Sequence, residues 1–403
     1  MTLDITAIRT RFPALKSGIA FFDGPGGTQT PTPVIEAVAE ALAAPLSNRG
    51  AVTQGERNAD AIVGDARRAM GDLLGVPAEG VVFGRSATQL TYDLARTLAR
   101  GWGPGDEVVV TRLDHDANIR PWVQAAESAG ATVRWADFDP ATGEIEPEDI
   151  AAVTGDRTRL IALTAASNLL GTRPDTAAVA RLAHDRGAHL HLDGVHFAAH
   201  ALTDLEALGA DTFTCSPYKF LGPHLGVLAA RPELLHTLHP DKLLPATDRV
   251  PERFEHGTLP YELLAGTTAA VDFLAGLAGP GEGGRRARLA ASYTALEERE
   301  DSLRRRIEEE LAAHAAVRVH SRAARRTPTL LVTFDGRDAA DAYRFLATRG
   351  VAAPAGSFYA LEASRHLGLG DGGGLRVGLA PYTGEEDVDR LLDGVRAFLN
   401  GKG

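Results

Sequence analysis

Short apolar runs alternate along this chain with longer stretches whose apolar positions fall three and four apart. VVFG (81–84), EVVVT (107–111), TVRWADF (132–138), RLIALTAAS (159–167), HLHLD (189–193), DTFTCS (211–216) and GVLAA (226–230) have the length and composition of strands. Helical spacing fills the gaps, from Thr88 to Arg100, in NIRPWVQAAESAG and in DTAAVARLAHDRG, which stops on a glycine. Buried strands separated by helices predict a mostly parallel sheet covered on both faces. Ligands of such sheets lie beyond the carboxyl ends of the strands, where Ser167, Asn168 and Asp193 fall.

After about residue 260 the pattern changes. PYELLAGTTAAVDFLAGLAG and RRARLAASYTALEEREDSLRRRIEEELAAH read as two long helices. TPTLLVTF (327–334), a helix near 338–348, LRVGLA (375–380) and a helix from Glu385 to Leu399 then suggest a second, smaller α/β unit. The expected division is an N-terminal arm of the small domain over 1–20, a large domain over 21–280 and a small C-terminal domain over 281–403, with GPGEGG (279–284) as the hinge. RRRIEEE (304–310) is a solvated helix face with i,i+4 charge pairs.

Composition narrows the class. With 403 residues and 44% hydrophobic content, the chain fits a soluble globular protein with one large core, or a large and a small one. A net charge of −11 leaves no basic surplus for nucleic acid or an anionic membrane. No apolar run approaches the roughly 20 residues of a spanning helix, and the first residues do not form a signal peptide. The single cysteine, Cys215, fits a reducing cytoplasm and reads as a small core residue.

The candidate chemistry centres on FTCSPYKFLGPHLG (213–226). Lysines occur only at 16, 219, 242 and 402, and arginine carries nearly all other positive charge. Lys219 follows a strand end among hydroxyls. A lysine desolvated there loses its proton readily and becomes a nucleophile, as a Schiff-base lysine requires. A pyridoxal phosphate site also needs a carboxylate for the ring nitrogen, a phosphate cup, an aromatic lid and a carboxylate clamp. Asp193 in HLHLDGVH offers the first. GRSATQ (84–89), opening a helix, offers the second. His115 in RLDHDANIRPW offers a stacking ring.

The ordered motifs resemble the class V aminotransferase family of fold-type I enzymes, in its cysteine desulfurase and selenocysteine lyase branch. FFDGPGGTQTP is similar to that branch's YLDSAASAQKP, LDHDANIRPW to EHHANxxPW, ASNLLGT to VSNVLGT, and LDGVHFAAH…SPYKFLGPHLG to its DGAQ…SGHKxxGPxGxG. The resemblance covers nearly the whole chain. It implies a fold-type I PLP-dependent transferase of the α/β class, with a mostly parallel mixed sheet in the large domain and a small α/β C-terminal domain. It also implies pyridoxal 5'-phosphate as cofactor and an amino acid as substrate.

By the same resemblance Lys219 is the Schiff-base lysine, Asp193 the partner of the pyridine nitrogen and His115 the ring stacked on the cofactor. Ala87, Thr88, Ser216 and Tyr218 (where the family usually has His) hold the phosphate. Thr258 reaches the phosphate of a neighbouring subunit, which implies a homodimer. Asn168 contacts the cofactor's phenolic oxygen or the substrate, and His196 stands in for a Gln at that contact. Arg376 pairs with the substrate carboxylate. A metal site built from His189, His191, Asp193 and His196 is set aside. The first two should lie deep on a buried strand, and Asp193 is already used.

The family's desulfurases carry a reactive cysteine on a mobile loop. Here that stretch is VAAPAGSFYALEASRH (351–366), with Tyr359 near the cysteine position and no thiol. The expectation is β-elimination from a cysteine-type or S-substituted cysteine without a protein persulfide. An epimerase like isopenicillin N epimerase, an aminotransferase and a non-catalytic cofactor-binding protein stay open as alternatives.

Overall fold

The computed structural model describes residues 3–401. Thirteen strands run in chain order: β1 (Ala20–Phe21), β2 (Val81–Gly84), β3 (Glu107–Thr111), β4 (Thr132–Ala136), β5 (Thr158–Thr164), β6 (His189–Asp193), β7 (Thr212–Cys215), β8 (Gly226–Ala230), β9 (Val317–Val319), β10 (Thr329–Phe334), β11 (Val351–Ala352), β12 (Ala355–Gly356) and β13 (Gly374–Gly378). The strand runs read from the sequence all appear. β4 and β5 stop short of their expected ends because the chain turns at the sheet edge, and β5 gives way to a turn whose Ala166 carbonyl accepts the Thr164 hydroxyl at 2.8 Å.

β2 to β8 form one sheet in the order β2-β8-β7-β6-β5-β3-β4. Only β8 is antiparallel to its neighbours. The carboxyl ends of β2, β3, β5, β6 and β7 therefore share one edge, and the chain segments leaving them collect there. Alternate residues of a strand serve opposite faces. Val109, Ile161 and Leu163 pack into one core, while Val108, Val110, Leu160 and Ala162 pack with Trp122 into another. Both faces are dry, as a parallel sheet requires. A second sheet, β12-β13-β10-β9, is antiparallel and has its own core with helices Ala339–Thr348 and Glu385–Leu399. β1 pairs in parallel with β11, and Ala20 and Phe22 join this smaller core. Ile8 and Phe12 instead pack into the larger one.

Helices at Thr32–Ala43 and Gln54–Leu74 were not anticipated. The second is announced by a capping box: Thr53 Oγ1 accepts from Glu56 N, and the Glu56 carboxylate accepts from Thr53 N at 2.7 Å. It places Arg67 in the core against Glu255, with contacts of 3.0 and 2.7 Å. β2 is an edge strand, and its free edge is used by this pair. Phe83 N–H donates to Glu255 at 2.8 Å, and Arg67 donates to the Val81 carbonyl. Burial raises the Glu255 pKa and Arg67 opposes the rise.

Removing one partner of such a pair strands a buried charge. Glu255→Gln is expected to lower stability by about 3–5 kcal/mol, read as a reduced midpoint in chemical denaturation with an unchanged slope. A loss under about 1 kcal/mol would show that the pair is solvated.

Candidate active site

A cavity of about 640 Å³ opens at the shared edge, and residues from five strand ends of the large sheet and one strand of the small sheet line it. Lys219 sits in the turn after β7. Its ammonium donates to the Pro25 carbonyl and lies 4.8 Å from the Tyr218 ring centroid. Burial, reinforced by the Arg376 charge, lowers its pKa to about 7 against the pull of Asp193. Near neutrality a large fraction of this amine is unprotonated.

Asp193 closes β6. Its Oδ1 accepts Val195 N at 2.9 Å, and Oδ2 has no partner among the described residues. Burial raises its pKa to about 6, opposed by the Val195 bond and Lys219. A cation placed against Oδ2 would restore full ionisation. His115 follows β3. Its Nδ1 accepts Ala117 N at 3.0 Å, and burial, Lys219 and Arg376 lower its pKa to about 4, so the ring is neutral.

Ser86 to Thr88 follow β2 and open helix Ala87–Ala99. The Ser86 hydroxyl caps Gln89 N at 3.1 Å, while the Ala87 and Thr88 N–H groups have no partner among the described residues and face the cavity's end. Gly226 backs this turn: a Cβ there would come within 2.2 Å of the Ser86 carbonyl carbon. Ser216 and Tyr218 line the same cavity, and the Tyr218 ring stacks on His224 at 4.6 Å and 11°.

Arg376 enters from β13 and is 2% exposed. One face of its guanidinium lies 3.6 Å from the Phe358 ring centroid, and Nη1 donates to the Asn168 carbonyl at 3.1 Å. Nε is buried without a partner. Burial lowers the Arg376 pKa to about 9, with Asp23 opposing. Asn168 donates its amide to the Phe358 carbonyl at 2.9 Å, which leaves a buried, unpartnered Oδ1. His196 lines the cavity as well. Thr258 does not. It is exposed on the surface of its own chain.

Sequence reasoning missed Ser86, Asp23, Phe358 and the threonines behind His196. Ser86 was legible as the first Ser/Thr of a helix-opening motif. Phe358 had no signal, because its position depends on a backbone that sequence does not announce. Phe358 and Tyr359 both adopt left-handed backbone (φ 52° and 59°). Their carbonyls are held by Asn168 and by Asp116 N at 2.7 Å, and Glu362 just beyond pairs with Arg112 and Arg120 at 2.9 and 2.5 Å. Tyr359 lies alongside His115, with centroids 5.5 Å apart.

The other histidines of β6 do not converge on Asp193. His191 bonds Thr212 Oγ1 at 2.8 Å beneath Trp122. His189, expected to be deep, sits at the strand's start with its side chain 42% exposed, because that end of the strand reaches the opposite edge of the sheet. Among the described residues no group of three or more metal-binding side chains converges, and no helix is long and apolar enough to cross a membrane. Cys215 is buried at the end of β7, where burial holds its thiol far above the usual range.

The family model for aminotransferase class V matches residues 20–391. The chain belongs to that family. A protein of Mycobacterium tuberculosis (strain CDC 1551 / Oshkosh) is 31% identical over 97% of this chain and 98% of its own. The aminotransferase-like protein FGM3 of Gibberella zeae is 30% identical over 99% of each. Among solved structures, the cysteine desulfurase CsdA of Escherichia coli superposes with a TM-score of 0.87 at 26% identity over 99% of each chain.

Class V aminotransferases are pyridoxal 5'-phosphate enzymes of fold type I, and this chain is one. The residues fit that cofactor. A nearly neutral lysine, a free carboxylate oxygen, two unpaired N–H groups at a helix start and a neutral imidazole ring face one cavity.

The lysine leaves a mark on the cofactor-free protein. Its folded pKa lies below its unfolded one, so between about 7 and the ordinary lysine value the unfolded chain holds the extra proton. Stability contributed through Lys219 therefore rises with pH across that window. Wild type is expected to gain thermal stability relative to Lys219→Met from pH 7 to pH 10. Parallel melting curves over that range would place Lys219 in solvent.

Proposed function

We propose that this enzyme is a lyase acting on a β-substituted amino acid of the cysteine type, one that expels the substituent without forming a protein persulfide. The observation that carries the reading is a single pairing. Lys219, poised to lose its proton near pH 7, shares a cavity with Arg376, whose Nε edge has no partner, and the loop above them contains no thiol.

When bound, the cofactor supplies an electron sink for a carbanion at the substrate α-carbon. The chain's residues do the rest. Lys219 would hold the cofactor and supply the base for the α-proton. Asp193 would offer its Oδ2 to the pyridine nitrogen. The Ala87 and Thr88 N–H groups, with Ser216 and Tyr218, would receive the phosphate. His115, neutral, would offer its ring as the stacking surface. His196 would serve the phenolic oxygen, and Asn168 that oxygen or the substrate.

Arg376 takes the substrate carboxylate through its free edge, with Phe358 excluding water from the guanidinium face. Thr258 serves the phosphate of a second copy, making the active unit a homodimer with composite sites. Departure of the substituent leaves an enamine that water converts to pyruvate and ammonia. Support for an apolar substituent comes from the aromatic pair Phe358–Tyr359 over the cavity.

Borohydride reduction of the loaded protein should fix the cofactor to Lys219, and Lys219→Ala should carry no adduct. An adduct on Lys242 would overturn the site. A panel of cysteine, S-substituted cysteines and other amino acids should yield thiol, pyruvate and ammonia in equal amounts. Racemised amino acid alone, or keto acid with aminated cofactor, would replace the lyase reading with an epimerase or an aminotransferase. In the same assay Arg376→Ala is expected mainly to raise KM, at a cost of about 2–5 kcal/mol. Cys215→Ala should leave the rate unchanged.

A further inference from the structure

His196 lines the cavity, yet one of its ring nitrogens is turned away into the protein. Nε2 lies 2.9 Å from Thr327 Oγ1 and 3.0 Å from Thr329 Oγ1, two buried hydroxyls at the start of β10. A hydroxyl has one hydrogen to donate. Thr329 has no acceptor other than His196 Nε2 among the described residues, and a buried hydroxyl left without an acceptor is unfavourable. Thr327 has an acceptor of its own, the Gly171 carbonyl at 3.3 Å, whose two lone pairs take both the Thr327 hydroxyl and the Thr327 N–H at 2.9 Å.

Counted this way, Thr329 directs its hydrogen at Nε2, while Thr327 gives its own to Gly171 and only lies against the ring nitrogen. A nitrogen that receives hydrogens carries none. The ring proton is then on Nδ1, which has no partner among the described residues and is the polar atom the ring offers to the cavity.

The surroundings keep the ring uncharged. It is 3% exposed, its edge lies against His200 with centroids 4.8 Å apart, and Lys219 and Arg376 share the cavity. Burial first, then these three groups, lower its pKa well below the ordinary histidine value. His200 is itself bonded to buried Glu300 at 2.9 Å, which fixes the ring that packs against His196. On the same wall Asn168 has already given its amide to Phe358 and offers only an acceptor oxygen, which cannot pair with an anionic oxygen.

We propose that Thr329 is a positioning residue that holds His196 in its neutral Nδ1–H form, a single donor aimed at the phenolic oxygen of the cofactor, while Thr327 is the acceptor that the other tautomer would use. The donor's target rests on the cofactor placement proposed above. The tautomer rests only on the contacts of His196 itself.

The test is nitrogen NMR of full-length chain labelled in histidine, with and without pyridoxal 5'-phosphate, in wild type, Thr329→Val, Thr327→Val/Thr329→Val and Thr329→Ser. The wild type and the serine variant should show the His196 proton on Nδ1. Thr329→Val, checked for folding by its melting curve, should move it to Nε2, which then donates to Thr327 Oγ1, and the double variant, with no acceptor at Nε2, should keep it on Nδ1. In the loaded protein Thr329→Val should shift the pH midpoint of the cofactor's long-wavelength absorbance upward by about half a unit, a roughly threefold change in proton affinity.

A proton on Nε2 in wild type overturns the proposal, and should the valine variants fail to fold, that measurement and the serine variant decide it. A tautomer unchanged in folded Thr329→Val overturns the role of Thr329. A switched tautomer with an unmoved midpoint overturns the donation to the cofactor. Absence of a Lys219 adduct would remove the proposed function while leaving the tautomer result readable.

Discussion

Two cations, Lys219 and Arg376, are buried in one cavity, and neither has a carboxylate in contact. Each has an acid at a distance, Asp193 for the first and Asp23 for the second, and in both cases desolvation outweighs the attraction. A fold that imposes this must hold both side chains from rigid elements, or they would turn to solvent. Lys219 hangs from the turn after β7 in the large sheet, and Arg376 stands mid-strand in β13 of the small one, paired in register with Leu331. The cavity exists because the two sheets are locked together across it. The Arg376–Asn168 bond and the Phe358–Asn168 bond are the stitches nearest the chemistry. Low affinity for protons at Lys219 is thus a property of the two-sheet arrangement more than of any one neighbour.

The end of the cavity at the helix start is built on different terms. An edge strand normally presents unpaired backbone groups. Here Arg67 and Glu255 occupy them, and the strand they fix runs directly into Gly84 and the helix start at Ala87. Gly226 lets the neighbouring strand approach that turn without a side chain between them. The N–H groups of Ala87 and Thr88 are consequently aimed by the core, and no flexible loop has to order when an anion arrives.

Much of this was legible in the sequence. Seven strands of the large sheet show as short apolar runs, and Asp193, His115 and Lys219 fall at strand ends because those are the ends that carry motifs. The two N-terminal helices were missed because Thr32–Ala43 is apolar on most sides and Gln54–Leu74 is interrupted by the buried Arg67, which masks its stripe. Contacts between distant segments were beyond sequence reasoning altogether. Thr327 and Thr329 meet His196 across more than 130 positions, and the ring of Phe358 reaches Arg376 only through a backbone shape that aromatic residues rarely adopt. His189 misled because alternation fixes a face of a strand and not a depth along it.

The tethering of residues 358–362 bears on how this loop could change over generations. A tyrosine codon is one base from a cysteine codon, so a thiol at position 359 is always a single mutation away. Yet a sulfur carrier must travel between substrate and acceptor. The Asp116, Asn168, Arg112 and Arg120 contacts hold this segment at four points. A newly acquired thiol would be anchored in place, and the heritable barrier to a sulfur-relaying loop lies in those anchors, spread over two separate segments, each of which would have to loosen first.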